Sequence, residues 1–152
     1  MKKTILMALC FCLSATVFAQ KMSKDKNQII TSVEKHKEEL IKISDSIWAL
    51  AETAFDESES SRILADYAEK NGLKVTRGVA DIPTAFTATY GSGSPVISIL
   101  GEFDALPGIS QKASPVKEPY EEGAAGHGCG HNMFGTASLG SAIAIKELME
   151  AG

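Results

Sequence analysis

Apolar residues at Val33, Leu40, Ile43, Ile47, Leu50 and Ala54 fall at steps of three and four from Leu40 onward, which predicts a helix from about Gln28 with one buried face. Glu38, Glu39, Lys42 and Asp45 occupy the other side, Trp48 lies beside the stripe, and His36, among Glu34, Lys35 and Lys37, is expected to be solvated. A second helical pattern, Ile63, Leu64, Tyr67 and Ala68, runs from about Ser58 to a stop at Asn71-Gly72. The acidic run 56–59 at its start suits the positive end of the helix dipole. The period then changes. Residues 73–77 and 85–90 alternate as strands do, and the turn 91–94 leads into Pro95 to Leu100, expected to form a hairpin with 85–90. Val96 to Leu100 is nearly all apolar, which predicts a strand covered on both faces, and hence an α/β fold with a layered sheet and flanking helices. Residues 106–125 have no period and read as a long exposed loop, while Leu139, Ile143 and Leu148, with small residues between them, predict a closing helix over 133–149 that packs on a sheet.

The ends of the pattern need a different reading. Lys2 and Lys3, the 13-residue apolar run Ile5 to Val17 and the small residue Ala19 describe a secretory signal peptide over 1–19, too short for the ~20 residues of a spanning helix. A polar lead-in over 20–28 follows, and 29–152 carries the fold. Export to a periplasmic or extracellular location is the expectation, without a stable membrane anchor. Cleavage would remove Cys10 and Cys12 and leave Cys129 as a lone thiol, so no internal disulfide can form. A net charge of −4 with no basic stripe argues against nucleic acid as a partner.

Candidate chemistry lies in two places. The apolar strand runs into Gly101-Glu-Phe-Asp-Ala-Leu-Pro107, which puts the carboxylates of Glu102 and Asp104 at a strand end, a usual place for a ligand site. Gly126-His-Gly-Cys-Gly-His-Asn-Met-Phe-Gly135 then brings His127, Cys129 and His131 together between glycines. Cys129 and His131 are two apart across Gly130 and are ligand types that suit zinc, but two ligands do not make a site. Two other readings stay open: a cysteine nucleophile at a helix N-terminus, and a glycine turn with an incidental Cys and His.

The stretches 99–111 and 126–136, with 46–52 and 76–86, resemble the B-type branch of the p-aminobenzoyl-glutamate hydrolases, within the metal-dependent aminoacylase and carboxypeptidase-type amidohydrolases. The resemblance covers roughly residue 30 to the end. It implies the N-terminal part of a two-metal exopeptidase-like catalytic domain, with Cys129 and His131 as metal ligands in a site of two divalent ions, zinc or manganese. Asp104 would orient a neighbouring group, and His127, Glu102 and Asn132 would support the site. Glu102 stands where other branches carry a histidine ligand. The implied substrate is a small N-acyl amino acid or dipeptide, and the implied assembly is a homodimer when full length, with a paralogous subunit as a further partner. The family's general-base glutamate pair is expected beyond Gly152, as is its lid and dimerisation domain, so no catalytic base is expected in this chain. A truncated, non-catalytic metal-binding fragment is the alternative.

Overall fold

The computed structural model describes residues 22–152, so the signal-peptide reading of 1–19, with Cys10 and Cys12, lies outside the described residues. Among the described residues three helices carry the fold: α1 (Lys24–Leu50), α2 (Ser58–Lys70) and α3 (His131–Ala151). Between α2 and α3 come β1 (Lys74–Arg77), a single 3-10 turn (Val79–Asp81) and β2 (Phe86–Thr89). Helix α1 starts at Lys24, where Ser23 Oγ accepts from Lys26 N–H at 3.2 Å, so most of the expected lead-in is helical. No helix among the described residues is long and apolar enough to cross a membrane.

Ile43 and Ile47 from α1, Leu64, Tyr67 and Ala68 from α2, and Leu139 and Ile143 from α3 form one apolar cluster, with Leu73 beside it. Burying side chains of this size contributes about 1.5–3 kcal/mol each. Gly140 is what lets α3 come close to α1, because a Cβ there would stand 2.9 Å from Leu40 Cδ1. The small residues of α3 thus serve a helix–helix contact as well as the contact with the 102–103 segment.

The sheet differs from the expectation. The architecture is helices plus a two-stranded antiparallel sheet in which Lys74 pairs with Thr89 and Arg77 with Phe86. This is compatible with α/β, but the hairpin joins 74–77 to 86–89 and not 85–90 to 95–100. Residues 91–100 do not fold back on β2; they run along α3. Tyr90 Oη pairs with Glu150 at 3.1 Å at one end, and Ser138 Oγ donates to Leu100 O at 2.6 Å at the other. Residues 96–104 have no turn or bend, so the chain is extended as foreseen, yet no strand pairs with it among the described residues. Val96 and Ile97, expected to be buried, are each 82% exposed. An apolar run records the surroundings a segment is suited to; it does not supply the neighbour that completes a ladder.

His36 also departs from expectation. Its side chain is only 11% exposed, with Nδ1 2.8 Å from Tyr67 Oη and Nε2 3.0 Å from Glu147 Oε1. Charged sequence neighbours suggested solvent, but residue 36 lies one helical step before Leu40 on the inward stripe.

Candidate metal-type site at the start of helix α3

Two single bridges bring the carboxylate segment and the glycine-rich motif together. Thr53 and Ala105 form a parallel bridge, in which Ala105 N–H donates to Glu52 O at 2.7 Å. Leu106 and Gly126 form an antiparallel one, with reciprocal bonds of 3.0 Å. The first ties the carboxylate segment to the chain leaving α1, and the second ties it to the segment that enters α3.

The glycines of the motif answer to crowding. A Cβ on Gly126 would collide with the carbonyl of Ile109, and one on Gly135 would stand 2.8 Å from Glu102 O, so any larger residue at 135 would push α3 away from the carboxylate segment. Gly130, at φ 80°, turns the chain into α3, and His131 becomes the first residue of that helix. Gly152 is exposed at the opposite end of α3, 21 residues on from His131, and takes no part in the site.

His131 is the meeting point. Its Nδ1 lies 2.7 Å from Asp104 Oδ1 and its Nε2 3.0 Å from Glu102 Oε2. A carboxylate on one ring nitrogen fixes ring orientation and tautomer. If Nδ1 donates its proton to Asp104, a neutral ring presents the Nε2 lone pair to a carboxylate oxygen. Two electron-rich atoms at that separation attract each other only through a proton or a cation between them. Cys129 is exposed and its Sγ lies 3.7 Å from Asp104 O, on the same segment but against its backbone. Donor types therefore suit a divalent transition metal. No three His, Cys, Asp or Glu side chains among the described residues converge as a metal-holding group.

His127 faces the other way. It is buried, its Nε2 donates to Ile47 O at 3.0 Å, its ring lies 6.3 Å from that of Trp48, and its Nδ1 has no partner. Burial pushes its imidazole below the ordinary histidine range, against the pull of the Ile47 carbonyl and of Asp104, so it is a neutral bolt between the motif and the end of α1. Asn132 is buried too, and its amide reaches Ser44 Oγ at 3.1 Å.

Glu52 lies outside the two motifs that carry the candidate chemistry. Its Oε1 accepts from Glu59 N–H at 3.0 Å, and its Oε2 from Ser60 N–H at 2.8 Å and Ser60 Oγ at 2.7 Å, so it caps α2 from outside the helix. Burial pushes its carboxyl up, but the bonds from Ser60 and Glu59 outweigh this and hold it below the usual range. Glu57, at the capping position, makes no side-chain cap. A cap seven or eight residues away has no local signature in sequence.

The loop over 106–125 is organised by Gln111. Its amide donates to Lys112 O at 3.1 Å and Val116 O at 2.8 Å, and its Oε1 accepts from Glu118 N–H at 3.0 Å. Beside it a cleft of about 300 Å³ is lined by Ile109, Gln111, Lys117 and Glu122 among others, but by none of Glu102, Asp104, Cys129 or His131.

Comparison with known proteins agrees with the motif resemblance. Over 120 residues, 78% of this chain and 25% of the relative, the sequence is 45% identical to the B subunit of p-aminobenzoyl-glutamate hydrolase from Escherichia coli (strain K12). It is 27% identical over 131 residues to the Xaa-Arg dipeptidase of Homo sapiens, and 24% identical over 136 residues to that of Mus musculus. The chain spans about a quarter of the length of these relatives. No protein-family model matches it.

Proposed function

We propose, from its likeness to the Escherichia coli p-aminobenzoyl-glutamate hydrolase, that this chain is the N-terminal part of the catalytic domain of a metal-dependent amidohydrolase. In this reading 29–152 contributes to an α/β layered domain, and 1–19 directs export. The substrate is an N-acyl or aryl amide of an amino acid: p-aminobenzoyl-glutamate, a related N-acyl amino acid or a dipeptide. The active form is a homodimer, with a paralogous subunit as a candidate partner. The observation that carries the reading is the pairing of His131 with Asp104 and Glu102, beside Cys129.

Cys129 and His131 would hold the metal, zinc or manganese, with His131 presenting Nε2 while Asp104 holds Nδ1. When bound, the metal supplies Lewis-acid polarisation of the amide carbonyl and a lowered pKa for water. The residues of this chain set up that chemistry. Asp104 fixes the ring of His131, Glu102 adds negative charge beside it, and His127 and Asn132 pin the motif to α1 through Ile47 and Ser44. The base that takes a proton from water is assigned to a part of the longer protein beyond Gly152.

Hydrolysis of N-acyl glutamates by the longer gene product, with and without chelator, tests the proposal. Chelator should abolish activity and added metal restore it. Hydrolysis that survives chelation but stops on alkylation of Cys129 would replace this reading with a cysteine nucleophile. A second reading, a metal-binding fragment without turnover, rests on ligand count: Cys129 and His131 are two donors where a catalytic metal takes three and a water. It predicts weak metal binding and no hydrolysis by the 152-residue chain.

A further inference from the structure

The loop over 106–125 encloses a cleft that the proposed chemistry does not use. Its two limbs are tied to one another: Ser110 N–H donates to Ala124 O at 2.9 Å, Ser110 Oγ accepts from Glu121 N–H at 3.4 Å, and the Gln111 side chain is committed to Val116 O and Glu118 N–H. The cleft of about 300 Å³ is lined by Lys117 and Glu122, and by Gly108 and Gly123, which add no side chain to it. Lys112 and Glu118 of the same loop pair at 2.7 Å, but the side chains of Lys117 and Glu122 have no ion pair or hydrogen bond among the described residues. A cation and an anion therefore line one cleft without neutralising each other. Ile109 is a wall shared with the glycine-rich motif. A Cβ on Gly128, between His127 and Cys129, would stand 2.7 Å from Ile109 Cδ1, yet none of Glu102, Asp104, Cys129 and His131 lines the cleft.

We propose that this cleft binds a free α-amino acid with a neutral side chain, its carboxylate on Lys117 and its ammonium on Glu122. A lone anion would meet the like charge of Glu122, and a lone cation that of Lys117, which disfavours both. A metal ion would find one carboxylate where it needs several oxygen ligands. A zwitterion matches both charges at once. A volume of about 300 Å³ is at the low end for ligand sites, which favours a single amino acid over a peptide. Every lining residue lies within 108–123, so the inference does not depend on the metal chemistry. It rests on the proposed hydrolysis only for the source of the ligand, since cleaving the amide frees the amino group and makes the amino-acid product a zwitterion.

Ligand-observed NMR on the longer gene product, with chelator present to stop turnover, tests it with L-alanine as the probe. L-Alanine should bind with a Kd on the order of 1 mM, within what so few atoms can supply. N-acetyl-L-alanine, which lacks the ammonium, and L-alaninamide, which lacks the carboxylate, should each bind roughly 10-fold or more weakly, the size of a lost hydrogen bond to a charged group. Lys117→Ala and Glu122→Gln should weaken L-alanine by a similar factor, and Lys117→Arg should retain it. Lys74→Ala, at an exposed lysine on β1, should change nothing. L-Alanine that does not bind, or that binds Lys117→Ala and Glu122→Gln as it binds the parent, would overturn the inference. So would L-alanyl-L-alanine binding more tightly than L-alanine with the same sensitivity to Lys117, which would make the cleft a peptide site. If hydrolysis proves insensitive to chelator while L-alanine still binds, the metal reading fails and the amino-acid site stands.

Discussion

Asp104 holds His131 by its Nδ1 at 2.7 Å, so removing the charge of that one carboxylate is the mildest way to loosen the site without emptying it. In the longer protein Asp104→Asn should cost about 10- to 100-fold in activity or metal affinity, the usual size of a loss at a group that orients a ligand. Cys129→Ala and His131→Ala should each lose both metal and activity, because each removes a proposed ligand and the thiolate also takes a negative charge with it. His127→Ala should keep the metal stoichiometry and show a milder defect, since its Nε2 is engaged with Ile47 O and not with the other motif residues. Metal analysis of the purified variants separates these cases: a metal-free His127→Ala beside a loaded, active Cys129→Ala would reverse the assignment. At this scale the sequence was informative about chemistry and silent about support. Cys129, His131 and the two carboxylates announce themselves by type and spacing, whereas the carbonyl of Ile47, the hydroxyl of Ser44 and the remote cap Glu52 act across distances that no local pattern encodes.

Helices were legible as elements because their spacing of three and four reflects burial on one face, and α1, α2 and α3 meet in a common core through Ile43, Ile47, Leu64, Tyr67, Leu139 and Ile143, while Val33 and Leu50 of the expected α1 stripe are exposed. What was not legible is how they are joined. Glu52 links the end of α1 to the start of α2 through three hydrogen bonds, and Glu52→Ala should cost about 0.5–2 kcal/mol in chemical denaturation, the range for a lost N-cap. A second joint ties α1 to α3. The Lys35 ammonium, 2.7 Å away, is the main influence that holds the Glu147 carboxyl down to about 2, with His36 adding to it against the opposing effect of burial. His36 carries the link on to Tyr67 of α2. Because the folded-state pKa lies below the unfolded one, this contribution is fully present above about pH 4.5 and is lost as pH falls from there toward 2. With Lys35 largely exposed, the pair is screened, and a contribution of about 0.2–1 kcal/mol is expected. Urea midpoints measured from pH 6 down to pH 2.5 should therefore fall less in Glu147→Gln than in the parent, the variant starting lower. Parallel acid profiles would place the acid sensitivity elsewhere.

Across the whole molecule, order is concentrated in the three-helix core and thins toward the extended segment and the loop that flank the site. Ile47, Leu64 and Ile143 are each at most 1% exposed, while 96–104 has no ladder among the described residues and 106–125 is held by the Gln111 hub, the Leu106–Gly126 bridge and scattered backbone hydrogen bonds. Amides in such a molecule should fall into two classes of hydrogen exchange, one opening only with the core and one opening locally. Ile143→Ala removes a fully buried side chain between helices whose backbones are already close, and it should lower stability by about 2–5 kcal/mol and speed exchange in α1, α2 and α3 together. Gln111→Ala should speed exchange only within 110–124, because the hydrogen bonds it breaks all close within that loop. If Gln111→Ala also loosened α3, the loop and the core would be one cooperative unit, and the site at the start of α3 would inherit its rigidity from the loop and not from the helices.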